Sequence, residues 1–422
     1  MSPAAAWHGG HVIRDRTPRC LAVLLLAVLL LIPSGCSGKR PPQPAADTPL
    51  LHVRVYSAQT QVSLVAQAPP AVSVDGQPAR RLNLSPGQAI DIRPIDGGWQ
   101  IGAATVSGRV LRIVPVEDGT LSLNGARHRG EYRLVPTRNG RFDVINDVDV
   151  ESYLKGVIAR ELLSDWHLEA YRAQAVAART YALYEMRTSD PDDHFHVHAD
   201  TRSQVYGGID GETRRSIDAV ETTRGLVLAY GPQGRERIFK AYFSSCCGGV
   251  TASVQDVFNE PVIEPLQAQF VGPLCNASPR YNWPSVVLGK QELTRRIRLY
   301  GERRGSPEKN MASLDRIDIA MTNPYGRPSR FQLTDVRGNR FSLTSEELRW
   351  AINTDAQRGT TVFSGFFKPV VESDTIRFVE GHGFGHGVGL CQWCTQVRAT
   401  QGLRYDRILQ AAYPASVLLR AY

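Results

Sequence analysis

The sequence predicts an α+β chain: a mixed helix–strand main domain, a small all-β region before it and an α+β insertion inside it. Three observations carry this. Short alternating apolar segments with turn signals between them fill residues 51–145. Capped, Ala-rich helical stretches begin abruptly at about 146. Strand-like and helical segments then mix through about 285–375 before a Gly-rich loop and a closing helix. At 422 residues, 42% hydrophobic and 21% charged, the chain has an ordinary globular balance and room for two or three domains.

The first residues are expected to form a leader. Arg14, Arg16 and Arg19 precede an apolar run from Leu21 to Ile32. The run is short for a bilayer span and has signal-peptide proportions. Pro33-Ser34-Gly35-Cys36 resembles a bacterial lipoprotein cleavage box, although Pro33 stands where that box normally has Leu. Residues 1–36 are therefore expected to be a lipoprotein signal, with Cys36 lipidated, anchoring an exported chain to a membrane of the cell envelope or periplasm. An ordinary signal peptide or uncleaved anchor is the alternative. Residues 37–50 are Pro-rich and polar and read as a tether.

Strands are expected at Leu51–Val55, Gln61–Val65, Val110–Val114 and Tyr132–Val135. Turns are expected at Asp75-Gly76, Asp96-Gly97-Gly98, Asp118-Gly119 and Asn139-Gly140. The main domain, 146–422, begins with a helix through Glu151–Glu161 that Asp149 can cap. Ser164 or Asp165 is expected to cap the next helix, about Leu168–Arg187. Pro191–Ala199 is a polar, His-rich loop. A helix near Glu212–Thr223 and strands at Gly225–Tyr230 and Phe239–Phe243 follow. Helices are expected in the insertion at Lys290–Tyr300 and Ser342–Ala351.

The net charge of +8 favours acidic partners: nucleic acid, anionic lipid or an anionic wall polymer. The sequence has no Lys/Arg-rich run and no zinc-finger spacing, so nucleic acid is not expected as a partner. Cys246, Cys247, Cys275, Cys391 and Cys394 fit export, where up to two disulfides and one free thiol would form. A structural metal is the other reading, because Cys391 and Cys394 make a CxxC.

The first candidate chemical group is Glu161. Leu154, Val157 and Ile158 form an apolar helical stripe, and Glu161 falls on it at i+3 and i+4. Desolvation there raises a carboxyl pKa and suits it to donate a proton near neutral pH. A solvated position just past the helix end is the bland alternative. On the next helix Gln174, Ala178 and Tyr181 share a face, with Arg179 one step round, amid many alanines. That pattern suggests a buried polar network; a plain packing helix with an exposed Arg is equally compatible. Gly381–Gly389 holds five glycines in nine residues and lets backbone approach a ligand or a partner segment closely. It lacks the ending of a phosphate loop. His194, His196 and His198 would share a strand face as metal ligands, but in a loop would simply face solvent.

Together these motifs resemble the stage II sporulation protein D family. The resemblance rests on Tyr153–Glu161, Glu169–Tyr181, Asp200–Gly208, Tyr242–Thr251 and Gly385–Trp393, with Ala412-Tyr413-Pro414 after them. Each motif is weak alone; their order is specific. They span roughly 146–260 and 378–422 and leave the insertion uncovered. The resemblance implies a peptidoglycan lytic transglycosylase that cuts between N-acetylmuramic acid and N-acetylglucosamine in peptide-free glycan strands. It maps the catalytic acid/base to Glu161. Substrate-binding roles are expected for Gln174, Arg179, Tyr181, Gln204, Tyr206, Ser244, Gly248, His386 and Gln392. A cell-wall amidase is a candidate partner, since related domains are amidase enhancers; a non-catalytic wall-binding module is accordingly the alternative function. Some relatives carry a Cys/His zinc site near the segment matching His194–Gln204. Here Ser203 stands where they can have Cys, so no zinc of that type, no other metal in the site and no cofactor are expected.

Overall fold

A computed structural model of the chain describes residues 48–116 and 120–422. The expected leader with Cys36, most of the expected tether and the expected turn at Asp118-Gly119 lie outside the described residues.

Two layers, antiparallel except for one short parallel edge strand, build the N-terminal region. One sheet orders its strands 126–128, 121–123, 62–66, 89–95, 98–101 and 104–107. The other runs 197–198, 50–59, 142–149, 131–136, 111–114, 71–74 and 80–81. Alternation decides which side chains go in: Val62, Leu64 and Ala66 are buried, and Ser63 and Val65 between them are less so. Trp99, Tyr132, Phe142 and Val144 fill the space between the layers. Asn139 and Gly140 both have positive φ, as a tight hairpin with the twist of its strands requires.

Phe142–Asp149 joins this region to the helices. Seven of its eight residues are buried: Phe142 and Val144 lie in the β core and Val148 against the helices, while on the other face Asp143 is held by Arg54 and His194, and Asp147 by His52 and Arg133. It leads directly into helix α1, Val150–Glu161, whose first turn is capped by Asp149 accepting from the Ser152 amide at 3.0 Å. Helix α2, Leu168–Thr188, packs beside it. Its cap is His167, accepting from the Glu169 amide, rather than Ser164 or Asp165. The His-rich loop is not free either: Val197–His198 adds a short parallel strand beside Leu50–Gln59.

Helix α3, Arg214–Thr222, precedes strand Leu226–Tyr230, which pairs with the chain's last strand, Val417–Arg420. Around Phe239–Phe243 only Phe243–Ser244 is strand at the C-terminal end, because the Tyr242 amide turns back to the Lys240 carbonyl. A short helix α4, Val254–Phe258, follows. The insertion contains helices α5, Lys290–Arg304, and α6, Ser345–Asn353, with two three-stranded antiparallel sheets. Ser342–Thr344 is strand rather than helix, and Thr344 caps α6 in a reciprocal box with Glu347. Leu293, Ile297, Phe331, Leu348 and Phe378 gather into a core of the insertion's own. Helices α7, Gln392–Thr400, and α8, Tyr405–Ala412, close the chain against α2. None of the described helices is long and apolar enough to cross a membrane.

Candidate active site

Helix α1 carries Glu161 to its final turn. Tyr153, Leu154, Val157 and Ile158 are fully enclosed, so the helix cannot rotate without exposing its apolar stripe. Glu161 lies at the open end of that stripe and is half-buried. One carboxylate oxygen accepts the Val205 backbone N–H at 3.0 Å; the other accepts the Gln392 side-chain amide at 3.4 Å. Burial raises its pKa above the ordinary 4.5, and the two hydrogen bonds pull the other way.

The segment delivering the Val205 amide is held from below. Gln204 accepts from the Tyr153 hydroxyl at 3.0 Å and donates to the Ala178 carbonyl at 3.3 Å. Tyr206 donates to Asn146 and lies against Tyr153. Gly156 makes the approach possible: a Cβ there would stand 2.6 Å from the Gly208 carbonyl oxygen. Gln392, the first residue of α7, arrives from the opposite side. The neighbouring Trp393 amide donates to the Ser245 carbonyl, and Gln396 accepts from the His167 amide across the gap to the α1–α2 loop. Trp166 of that loop meets Trp393 edge to face at 5.1 Å.

The predicted site residues therefore separate. Glu161 and Gln392 are in direct contact. Tyr181 lines a neighbouring cleft of about 530 Å³ with Tyr184, Glu185, His196 and Lys240. Gln204 and Tyr206 are enclosed behind the site rather than lining a groove. Arg179 is wholly buried in a two-pronged ion pair with Glu151, at 2.7 and 3.1 Å, and donates to the Val220 and Leu226 carbonyls. A substrate cannot reach it, which corrects its expected binding role; its guanidinium serves the packing of α1 on α2. Gln174 is also wholly buried, and its amide has no hydrogen-bond partner among the described residues. Ser244 accepts from the Gly387 amide, and Gly248, with positive φ, lies where a Cβ would strike His382. Both shape the Gly-rich loop. His386 accepts from the Val388 amide and lies beside Tyr242 and Phe258; burial pulls its pKa down to about 4.

The close approach expected of Gly381–Gly389 is to protein. Gly387 faces the Arg327 guanidinium so closely that a Cβ would lie 2.5 Å from it. Trp166 and Tyr153 were not legible in the sequence as site elements, nor was Trp393 as more than part of a motif. Its place directly after Gln392 at a helix start was the available signal.

His194, His196 and His198 do not suit a shared metal. His194 pairs with Asp143 at 3.0 Å, His196 accepts from the His52 amide, and His198 meets Arg54. Ser203 is used by the His198 amide. These contacts bind the loop to the sheet rather than leaving the rings in solvent. The cysteines correct a second expectation. All five in the described chain are free thiols, buried together instead of paired in disulfides. Four of them, Cys247, Cys275, Cys391 and Cys394, converge closely enough to hold a metal, so the expectation of no metal is reopened at a place the His-rich segment did not indicate.

Comparison with known proteins places this geometry in a family. A family model described as stage II sporulation protein matches residues 138–230, from the strand before α1 to the strand after α3. An uncharacterised protein of Brachyspira hyodysenteriae is 30% identical over 301 residues, covering 71% of this chain and 74% of its own. The amidase enhancer of Bacillus subtilis is 27% identical over 393 residues; the match covers 82% of this chain and 52% of the enhancer. Stage II sporulation protein D of Bacillus subtilis is 23% identical over 291 residues, covering 66% of this chain and 76% of its own. With the motifs in order, the matched segment containing Glu161 and a relative this similar over most of its length, the chain belongs to the stage II sporulation protein D family.

Proposed function

We propose that the protein is a lytic transglycosylase acting on peptidoglycan glycan strands, preferentially those without stem peptides, with Glu161 as its single acid/base. The observation carrying this reading is a half-buried carboxyl with a raised pKa, held between a backbone N–H and a side-chain amide. As the acid, Glu161 protonates the glycosidic oxygen between N-acetylmuramic acid and N-acetylglucosamine. As carboxylate, it takes the proton of the muramic 6-hydroxyl while that oxygen closes on C1, leaving a 1,6-anhydro end. Because the nucleophile belongs to the sugar, no second carboxylate has to manage water or a covalent intermediate. The Val205 and Gln392 donors favour the ionised state after the first transfer. Partly exposed Trp393, backed at its edge by the buried Trp166, offers an apolar ring of the kind on which sugars stack.

The name of the Bacillus subtilis amidase enhancer supports a second reading, a wall-binding module that stimulates a partner amidase without cutting glycan. One experiment separates them. Purified protein is incubated with peptide-free strands, with Glu161→Gln alongside, and 1,6-anhydro-muramic ends are sought by mass spectrometry. Anhydro ends from the wild type alone support the lyase. Bound but uncut strands, with amidase stimulation equal in both proteins, support the module. Export and lipidation at Cys36 belong to the same reading, and globomycin-sensitive radiolabelled palmitate incorporation, lost in Cys36→Ala, tests them.

A further inference from the structure

Among the described residues, five cysteines form a buried cluster of reactive side chains that the proposed chemistry leaves unused. They come from separate places in the chain. Cys246 and Cys247 follow strand Phe243–Ser244, Cys275 ends a short 3-10 turn, and Cys391 and Cys394 flank the first turn of α7. The sulfurs of Cys247, Cys275, Cys391 and Cys394 all lie within 4.8 Å of one another. Cys247 Sγ is 3.6 Å from Cys275 Sγ and 3.8 Å from Cys394 Sγ. Sulfurs at the corners of a tetrahedron about 2.3 Å from a central zinc are about 3.8 Å apart, whereas disulfide sulfurs are about 2.05 Å apart. The spacing is far beyond a disulfide's and close to that of ligands around an ion.

The surroundings suit thiolates. Cys391 Sγ accepts the backbone N–H groups of Cys247 and Cys394, both at 3.4 Å, and caps α7 where the helix's free N–H groups favour negative charge. The wholly buried Arg327 guanidinium donates to the Cys247 carbonyl at 2.9 Å and sets a positive charge beside the cluster. Four thiolates around a divalent ion leave a net charge of −2, which a buried site tolerates only with such donors nearby. All four sulfur ligands are enclosed, leaving no open coordination position, as in structural rather than catalytic centres.

We infer that Cys247, Cys275, Cys391 and Cys394 bind one zinc ion as a structural tetrathiolate centre that fixes the start of α7, and with it Gln392, against Glu161. Each thiol releases its proton to solvent as its sulfur takes the metal. Cys246 is left out: its sulfhydryl points toward the Cys275 carbonyl oxygen, 4.0 Å away. The centre spans the cysteine loop, the segment before the insertion and the segment after it. Its existence does not depend on whether Glu161 cuts glycan.

The test is metal content and thiol state of the intact protein purified without chelator. About one zinc per chain is expected, with four thiols protected from modification until a mercurial displaces the metal. Cys246→Ser should keep the ion; Cys394→Ser should fall below about a tenth of an equivalent. Cobalt(II) alone, added to the reduced metal-free protein, should give the intense sulfur-to-cobalt charge-transfer and tetrahedral ligand-field bands of four thiolates. That measurement decides the matter even if Cys394→Ser fails to fold. Disulfide-linked peptides among these four residues in the untreated protein, absence of zinc and of the cobalt bands, or undiminished zinc in a folded Cys394→Ser protein would overturn the inference.

Discussion

Glu161 pays for its position with solvation, and that cost has a sign that can be measured. An unfolded glutamate titrates near 4.5, and burial raises the folded value. A group whose folded pKa is raised binds its proton more tightly when folded. The wild type therefore loses stability as pH climbs from the unfolded value through the folded one, and the loss is complete above it. Glu161→Gln has no such loss. Its melting temperature is expected to gain on the wild type across that window and keep the gain at neutral pH, while glycan cleavage disappears. A parallel pair of melting curves against pH would sink this burial account. Gln392→Leu makes a complementary case. It removes a donor that favours the carboxylate, so Glu161 should hold its proton to higher pH. The alkaline limb of the kcat/KM profile should move upward while the rate falls; a limb that stays put would mean the 3.4 Å contact has no weight.

At the scale of elements, α1 and α2 are joined by more than apolar packing. Arg179 and Glu151 meet with almost no exposure, and Glu151 also accepts from the Gly225 amide and the Tyr422 hydroxyl. The pair thus connects both helices to the strand after α3 and to the C-terminus. Arg179→Met would leave Glu151 buried beside those neutral donors without its cation. A loss of about 3–5 kcal/mol is expected, read as a lowered urea midpoint. A change of a few tenths would show that the pair is replaceable by hydrocarbon. The element boundaries followed local signals where local chemistry governed them. Asp149 was legible as a cap because it directly precedes an apolar periodic run. His167 was not, because two conventional cap residues, Ser164 and Asp165, lie just before it, and its backbone is held by Gln396 from a distant helix.

Across the whole molecule, the net charge of +8 bears on the proposed wall substrate. If attraction to anionic wall polymer contributes to binding, the fraction retained on isolated sacculi should fall as salt rises from about 0.1 to about 1 M, where screening shortens from about 10 to about 3 Å. Retention unchanged by salt would assign binding to stacking and hydrogen bonds instead. Burial sorted the candidate site in a way the motifs did not. Gln174, Arg179 and Gln204 stand in the family motifs yet are enclosed, so their motif positions reflect scaffold as much as substrate contact. The insertion carries its own core and could be read from sequence as mixed helix and strand.

The sequence by itself determined the period-two strands, the turns with left-handed Asn and Gly, the apolar stripe ending in Glu161 and the family motifs, because each is written within a few neighbouring residues. Tertiary structure decided the rest. Gln392 and Glu161 are 231 positions apart, Cys247 and Cys394 are 147 apart, and Arg327 reaches both the cysteine loop and the Gly-rich loop from within the insertion. Long-range packing chose these partners, since a side chain's donor or acceptor says what it needs and only the folded core says which group will be there to meet it.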